Sequence, residues 1–207
     1  RRFLTVEEAA TDPLILTTLM WGGPRDRQLL KKLQHNPSLS APGEDFLVKS
    51  RQGFISGDGK KSNEHLNGRR LFDGKEFPPK PFLHLNANSL SVVHNLKTHS
   101  RDSTDVVAFS SPQLILKQSW QKKSGRFQAR LVKSKNAEGI LCSSSYISVT
   151  GPAALLEAAC LSYNSLVSAY FLQLTSGRMA AYRPATLVHE LLALPIPKSK
   201  PNMLTEL

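Results

Sequence analysis

A chain of 207 residues with 27 Lys+Arg against 16 Asp+Glu carries a formal net charge of +11 and a pI near 9.9. At 40% hydrophobic and 21% charged residues it has a globular composition, able to bury on the order of 70% of its unfolded surface, which excludes wholesale disorder. No stretch approaches the ~18 apolar residues of a membrane span, and its only two cysteines, Cys142 and Cys160, exclude a four-cysteine zinc site and suit a reducing compartment.

The chain opens on Arg1-Arg2-Phe3 with neither Met nor an apolar signal core, which reads as a piece of a longer polypeptide. Thr5 stands three residues before Glu8, the spacing of a capping box. Asp12-Pro13 predicts a second helix start, with Leu14, Ile15, Leu16, Leu19 and Met20 following and Gly22-Gly23 as the stop. Pro24 opens a third helix, with Leu29, Leu30 and Leu33 on one side and Asn36-Pro37 closing it. From Pro37 to Pro81 the recurrence of Pro, Gly, Ser and Asn predicts long loops between short strands. β-type runs follow at Phe82–Leu85, Val106–Phe109, Leu114–Leu116, Phe127–Val132, Ile140–Cys142 and Tyr146–Val149. Phe127, Ala129 and Leu131 alternate with Gln128, Arg130 and Val132 as a half-buried strand would, which puts Arg126, Gln128 and Arg130 together on the opposite, wet face. After Gly151-Pro152, residues 153–174 lack Gly and Pro and predict one apolar helix of about five to six turns, ended by Ser176-Gly177. Pro184–Leu192 predicts a shorter one. The expected architecture is α+β: a helical lead-in over 1–42, a strand-rich domain over 43–150, and a helical part over 151–207 packing on it.

The surplus charge is unevenly spread. Gln113 to Lys135 hold seven cations (Lys117, Lys122, Lys123, Arg126, Arg130, Lys133, Lys135) and no acid. Lys60, Lys61, Arg69 and Arg70 form a second group, and Arg25, Arg27, Lys31 and Lys32 a third. Such grouping suits a polyanion, because each cation that neutralises a phosphate releases a condensed counterion; six to eight such contacts give a log–log salt slope of roughly −5 to −7. The same charges also suit a solvated face that keeps the chain soluble. Two roles fit Trp120, between Lys117 and Lys122-Lys123: stacking on a base or sugar, or anchoring its loop on the core. Ser143-Ser144-Ser145 fits donors to phosphates or base edges, and equally a polar strand entry.

Catalytic patterns are missing. Gly57-Asp58-Gly59-Lys60-Lys61 lacks the spacing of a P-loop, His189-Glu190 is not followed by a second histidine, and no Gly-x-Ser-x-Gly occurs. Among six histidines only His94 and His99 have even weakly ligand-like spacing, so no metal site is expected. Asp45 and Lys49 bracket a β-like run without the Glu-x-Lys of a nuclease, and Cys160 reads as a packed thiol. Phe77-Pro78-Pro79-Lys80 lacks the leading polar residue and following aromatic of a motif that methylates a base amino group.

Several strings, taken in order, nevertheless resemble a known family. Asp12-Pro13 followed by Leu19-Met20-Trp21-Gly22-Gly23-Pro24-Arg25-Asp26 resembles the segment just after the catalytic domain in N6-adenine DNA methyltransferases of restriction–modification systems. Gln52-Gly53-Phe54-Ile55-Ser56-Gly57, with Leu66-Asn67-Gly68, resembles the start of their target-recognition region. Pro112 to Lys117 and Gly125 to Arg130 resemble its central strands. Leu174 to Arg178, Arg183-Pro184 and Leu194-Pro195-Ile196-Pro197 are similar to its helical close and to that of type I specificity subunits. Gly23 stands where family members often have Thr.

The resemblance implies sequence-specific recognition of double-stranded DNA by a non-catalytic C-terminal region of a bacterial, cytoplasmic protein. It implies that S-adenosylmethionine and the methyl transfer belong to a methyltransferase catalytic domain upstream in the same polypeptide, with no cofactor held here. DNA contacts are then expected from Arg126, Gln128 and Arg130 on the strand. Lys117, Trp120, Lys122 and Lys123 are expected on the adjoining loop, and Lys60, Lys61, Arg69 and Arg70 on the glycine-rich one. The alternative is a protein-interaction scaffold in which the 153–174 helix packs on a partner and the charges only solubilise.

Overall fold

Three short helices open the chain, each begun by chemistry written in its own first turn. The computed structural model describes residues 4–12, 14–41, 47–99, 105–121, 125–134, 138–179 and 185–197, and only the backbone of 56–61. Helix α1 (Val6–Thr11) carries the capping box: Thr5 Oγ1 accepts the Glu8 N–H at 3.1 Å and the Glu8 carboxylate accepts the Thr5 N–H at 3.2 Å. Ahead of α2 (Ile15–Trp21), Asp12 Oδ1 accepts the Leu14 N–H. In α3 (Pro24–Gln34), with proline at the first position, Asp26 Oδ2 accepts the Gly23 N–H at 2.6 Å. Arg27 on α3 pairs with Asp12 at 3.1 Å, tying the start of α2 to α3.

Residues 47–99 hold six short strands: β1 (Lys49–Gln52), β2 (Ser56–Ser62), β3 (Arg70–Phe72), β4 (His84–Asn86), β5 (Ser91–Val92) and β6 (Lys97–Thr98). Four more follow: β7 (Gln113–Lys117), β8 (Ala129–Lys133), β9 (Leu141–Cys142) and β10 (Tyr146–Thr150). The main sheet has the order β1-β10-β7-β8-β4, antiparallel except for the β4–β8 pair. Two smaller sheets join β2 to β6 and β5-β3-β9. Every residue of central strand β7 is buried, because the sheet is covered on both faces. Leu114 and Leu116 face one core with Phe127, Ile147 and Val149, while Ile115 faces a second with Phe54, Phe72, Phe77, Phe109 and Tyr146. In the second core the Phe72, Phe77 and Tyr146 rings lie 5.0–5.2 Å apart. Gly53 links the main sheet to β9: a Cβ there would stand 2.2 Å from the carbonyl oxygens of Cys142 and Ser143.

The C-terminal helices α4 (Ala153–Tyr163), α5 (Leu166–Thr175) and α6 (Val188–Leu192) close the first core, which draws Leu30 from the lead-in, Leu114 from the sheet and Leu156, Phe171 and Leu191 from the helices. The expected single helix over 153–174 is therefore two helices, bent by 74°. The break lies at Asn164-Ser165. Ser165 Oγ accepts the Ser168 N–H at 3.3 Å as the N-cap of α5, and the Asn164 amide donates to Cys160 O at 2.8 Å and Ala129 O at 2.9 Å. Among the described residues no single helix is long and apolar enough to cross a membrane; α4 and α5 together are, but Leu156, Ala159, Phe171 and Leu172 are buried in the core.

Three further expectations are corrected. The run Val106–Phe109 is a 3₁₀ turn over Val107–Phe109, not a strand, since Asp105 Oδ1 caps the Val107 N–H at 2.9 Å. That turn buries the adjacent Ala108 and Phe109 together, which an alternating strand does not do. The strand expected from Phe127 begins at Ala129. Likewise α6 starts at Val188, and Ala180–Pro184 lie outside the described residues.

Candidate nucleic-acid interface

The cations expected to meet DNA divide by what they already touch. Arg69 Nη2 donates to Phe109 O and, at 3.1 Å, to Gly139 O, while its buried Nε has no acceptor among the described residues. Burial lowers the Arg69 pKa from its ordinary value, against the pull of nearby Glu138. Arg70 Nη1 donates to Asn88 O at 3.1 Å and Leu90 O at 2.7 Å. Lys117 is 7% exposed and its Nζ donates to Lys75 O at 2.9 Å. Burial lowers its pKa too, with Glu76 acting in the opposite sense.

Arg130 departs furthest from expectation. It lies opposite Ile115 in the β7–β8 register, so it shares the face of the second core rather than a wet face. The loop from Asp73 to Phe82 covers that face: its guanidinium carbon lies 5.0 Å from the Phe77 ring centre and 4.9 Å from that of Phe82. The side chain is 1% exposed. The alternation itself is real, with Phe127 and Ala129 buried on the other side; what fails is the inference that the opposite side meets water.

Arg126 and Gln128 are half-buried and line an open cleft of about 240 Å³ with Phe82, Phe127 and Asn164. Local turn chemistry positions them. Gly125, at φ +60°, donates its N–H to Gln121 O at 2.9 Å, and the Gln121 N–H donates to Arg126 O at 3.0 Å, closing a tight reversal before β8. Gln121 Nε2 also donates to Gln128 Oε1 at 3.3 Å, and Arg126 Nη1 to Asn164 O at 3.4 Å. Trp120 sits edge-on to Phe127, ring centres 5.6 Å apart, which fits its anchoring role. Phe82 forms an aromatic wall that is 50% exposed. Lys75, Lys80 and Lys133 are exposed, and none of them lines the cleft. His84, paired with Leu131 across β4–β8, is held below the usual histidine pKa by burial and then by Lys133, against Glu157.

Lys122 and Lys123 lie outside the described residues, as do the side chains of Lys60 and Lys61. The structure thus brings together Arg126 and Gln128 and places Arg69, Arg70, Lys117 and Arg130 on internal acceptors. Two cleft residues carry no binding signal in the sequence. Phe82 opens a β-type run, and Asn164 falls inside a stretch that predicts an unbroken helix. The signal for the second was the Asn-Ser pair, poor helix formers that favour caps. Among the described residues no three His, Cys, Asp or Glu side chains converge to hold a metal.

No protein-family model matches this sequence, and no curated protein matches it. Among solved structures, the HsdS subunit from Thermoanaerobacter tengcongensis is similar over 92% of this chain and 43% of its own, with a TM-score of 0.34 and 12% identity. This chain therefore spans less than half the length of that subunit.

Proposed function

We propose that the chain is a non-catalytic DNA target-recognition module of a restriction–modification protein, gripping duplex DNA with the face around the Phe82–Arg126–Gln128 cleft. In this reading it serves an N6-adenine methyltransferase catalytic domain in the same bacterial, cytoplasmic polypeptide, and S-adenosylmethionine binds there. The observation that carries it is the cleft: a guanidinium and an amide, both half-exposed, stand beside an exposed aromatic ring in a stretch with seven cations and no acid. Cations set register on phosphates, and Arg or Gln side chains read base edges by paired hydrogen bonds. The ordered strings of the methyltransferase family support the same reading.

Since Arg69, Arg70, Lys117 and Arg130 have internal partners, the cleft itself offers Arg126 to phosphate, and exposed Lys75, Lys80 and Lys133 are further candidates on the chain. About four such contacts give a log–log salt slope of roughly −3 to −4. Fluorescence anisotropy with a duplex library, titrated from low to moderate salt, tests it. Binding that weakens with that slope supports the reading; no binding at low salt, or a flat response, overturns it.

One observation favours a scaffold instead: Leu16 (61%), Met20 (71%), Leu166 (60%) and Val167 (50%) are exposed on α2 and α5, which pack on each other. That reading expects no salt-dependent DNA binding and self- or partner association in sedimentation.

A further inference from the structure

Among the described residues no acidic side chain pairs with Arg130. Its Nη1 donates to Ala129 O at 2.9 Å and Asn164 Oδ1 at 3.3 Å, and its buried Nε has no acceptor among the described residues. The ionisable groups that bear on it are Cys160 and Tyr146. Burial holds the protons of both more tightly than usual, moving Cys160 up to about 11, so neither is anionic near neutral pH. A guanidinium remains protonated there. The Phe77 and Phe82 rings and two oxygen acceptors offset part of its desolvation, but isolated buried charge stays unfavourable without a partner of opposite sign.

The cleft adjoins this charge through shared walls. Phe82 and Asn164 contact Arg130 and also line the cleft, where Arg126 stands, and none of the lining residues is Asp or Glu. Two guanidiniums therefore adjoin one opening, Arg126 lining it and Arg130 against two of its lining residues.

We infer that the Phe82–Arg126–Gln128–Asn164 cleft is an oxyanion site for a phosphate group, contacted by Arg126 and the Gln128 amide and attracted by buried Arg130. Arg130 acts on this opening only through Phe82 and Asn164, so its charge adds a longer-range pull to the direct contact of Arg126. At about 240 Å³ the cleft has room for the phosphate together with a water or an attached sugar. The group comes either from a nucleic-acid backbone or from a free phosphate. The site does not require the duplex reading, since inorganic phosphate satisfies the same chemistry.

Arginine side-chain ¹⁵N–¹H spectra of the full chain, titrated with inorganic phosphate and then with a short DNA duplex, test the site. The expected result is that the Nε–H signals of Arg126 and Arg130 move together on one saturable phosphate curve. Arg126→Gln then weakens phosphate roughly tenfold, the loss of one charge-assisted contact. Arg130→Met, which keeps the stem's bulk, weakens it as well while Arg126 remains. If that variant does not fold, the direct Arg130 shift and Arg126→Gln decide. Displacement of phosphate by the duplex assigns the site to the DNA backbone, and simultaneous binding assigns it to a free oxyanion; both support it. An Arg130 signal that stays still under saturating phosphate, or an Arg126→Gln chain with undiminished phosphate affinity, overturns it. Phosphate binding without any DNA binding sinks the duplex reading and leaves this one standing.

Discussion

Two basic regions of the molecule look alike in sequence and behave differently in space. Around Arg69, Arg70 and Lys117, cations donate to the carbonyls of Phe109, Gly139, Asn88, Leu90 and Lys75, so they pin the loops that carry those backbone oxygens. At the cleft, Arg126 makes one long bond of 3.4 Å to Asn164 O and remains half-exposed. Nearby unpaired carbonyls, rather than the number of positive residues, decide whether a cation is a staple or a binding group. A short-strand fold is rich in loop carbonyls, so it turns many of its own lysines and arginines inward.

The largest expected effect breaks the staple side of that contrast. Arg69→Met removes the Nη2 donor from Gly139 O and one of two donors from Phe109 O, which also accepts the Gly139 N–H at 3.0 Å. Losing partners for buried carbonyls costs about 2–3 kcal/mol. Urea unfolding reads that loss, while duplex affinity of the folded variant stays within about twofold. Arg126→Gln gives the mirror image, with unchanged unfolding and a salt slope shallower by about one. An Arg69 variant that keeps its stability and loses DNA affinity would reverse the two assignments.

How far the chain could be read in advance follows from the same physics. The caps at Thr5–Glu8 and before α2 were legible because they are local, and strands β7 and β10 because short β-type runs are a local signal too. The burial of Arg130 was not. Alternation identifies one covered face, but nothing local says that the loop with Pro78, Pro79 and Pro81 folds over the other. The 74° break before α5 was hidden for a related reason: Asn164 interrupts the helix by reaching the Ala129 carbonyl on a distant strand. Half of the cleft, Arg126 and Gln128, was legible from charge and alternation. The other half, Phe82 and Asn164, arrived only with tertiary contact.

A middle-sized effect sharpens the contrast. Lys117→Met keeps the apolar stem and removes one donor, leaving Lys75 O without it, for a loss of about 1–2 kcal/mol. Because burial lowers the Lys117 pKa, the folded chain holds that proton less tightly than the unfolded one. Wild type should therefore gain stability as pH rises from the lowered value toward the ordinary lysine pKa, and the difference from Lys117→Met should show that rise. A variant whose unfolding midpoint moves in parallel with wild type across the alkaline range contradicts the buried ammonium.

The smallest effect asks whether staple strength scales with burial. Tyr170 on α5 donates to the Asp26 carboxylate, which also accepts the Gly23 N–H at 2.6 Å, joining α3 to the C-terminal helices. The Tyr170 bond, then the Gly23 bond, hold Asp26 below the usual carboxylate range, and burial followed by Asp26 pushes Tyr170 up to about 12. The signs follow from proton linkage. Asp26's contribution is present above the ordinary carboxylate pKa and fades as pH falls through the lowered one, whereas Tyr170's is present below about 10 and is lost as pH rises through about 12. Tyr170→Phe removes the alkaline fade and weakens the acidic one, which keeps the Gly23 bond. Because water screens this pair, its cost should fall below that of Lys117→Met. Thermal midpoints of the three variants at neutral and alkaline pH give the ranking, and a Tyr170→Phe loss as large as that of Arg69→Met would show that position in the helix junction, not burial, sets the strength of these staples.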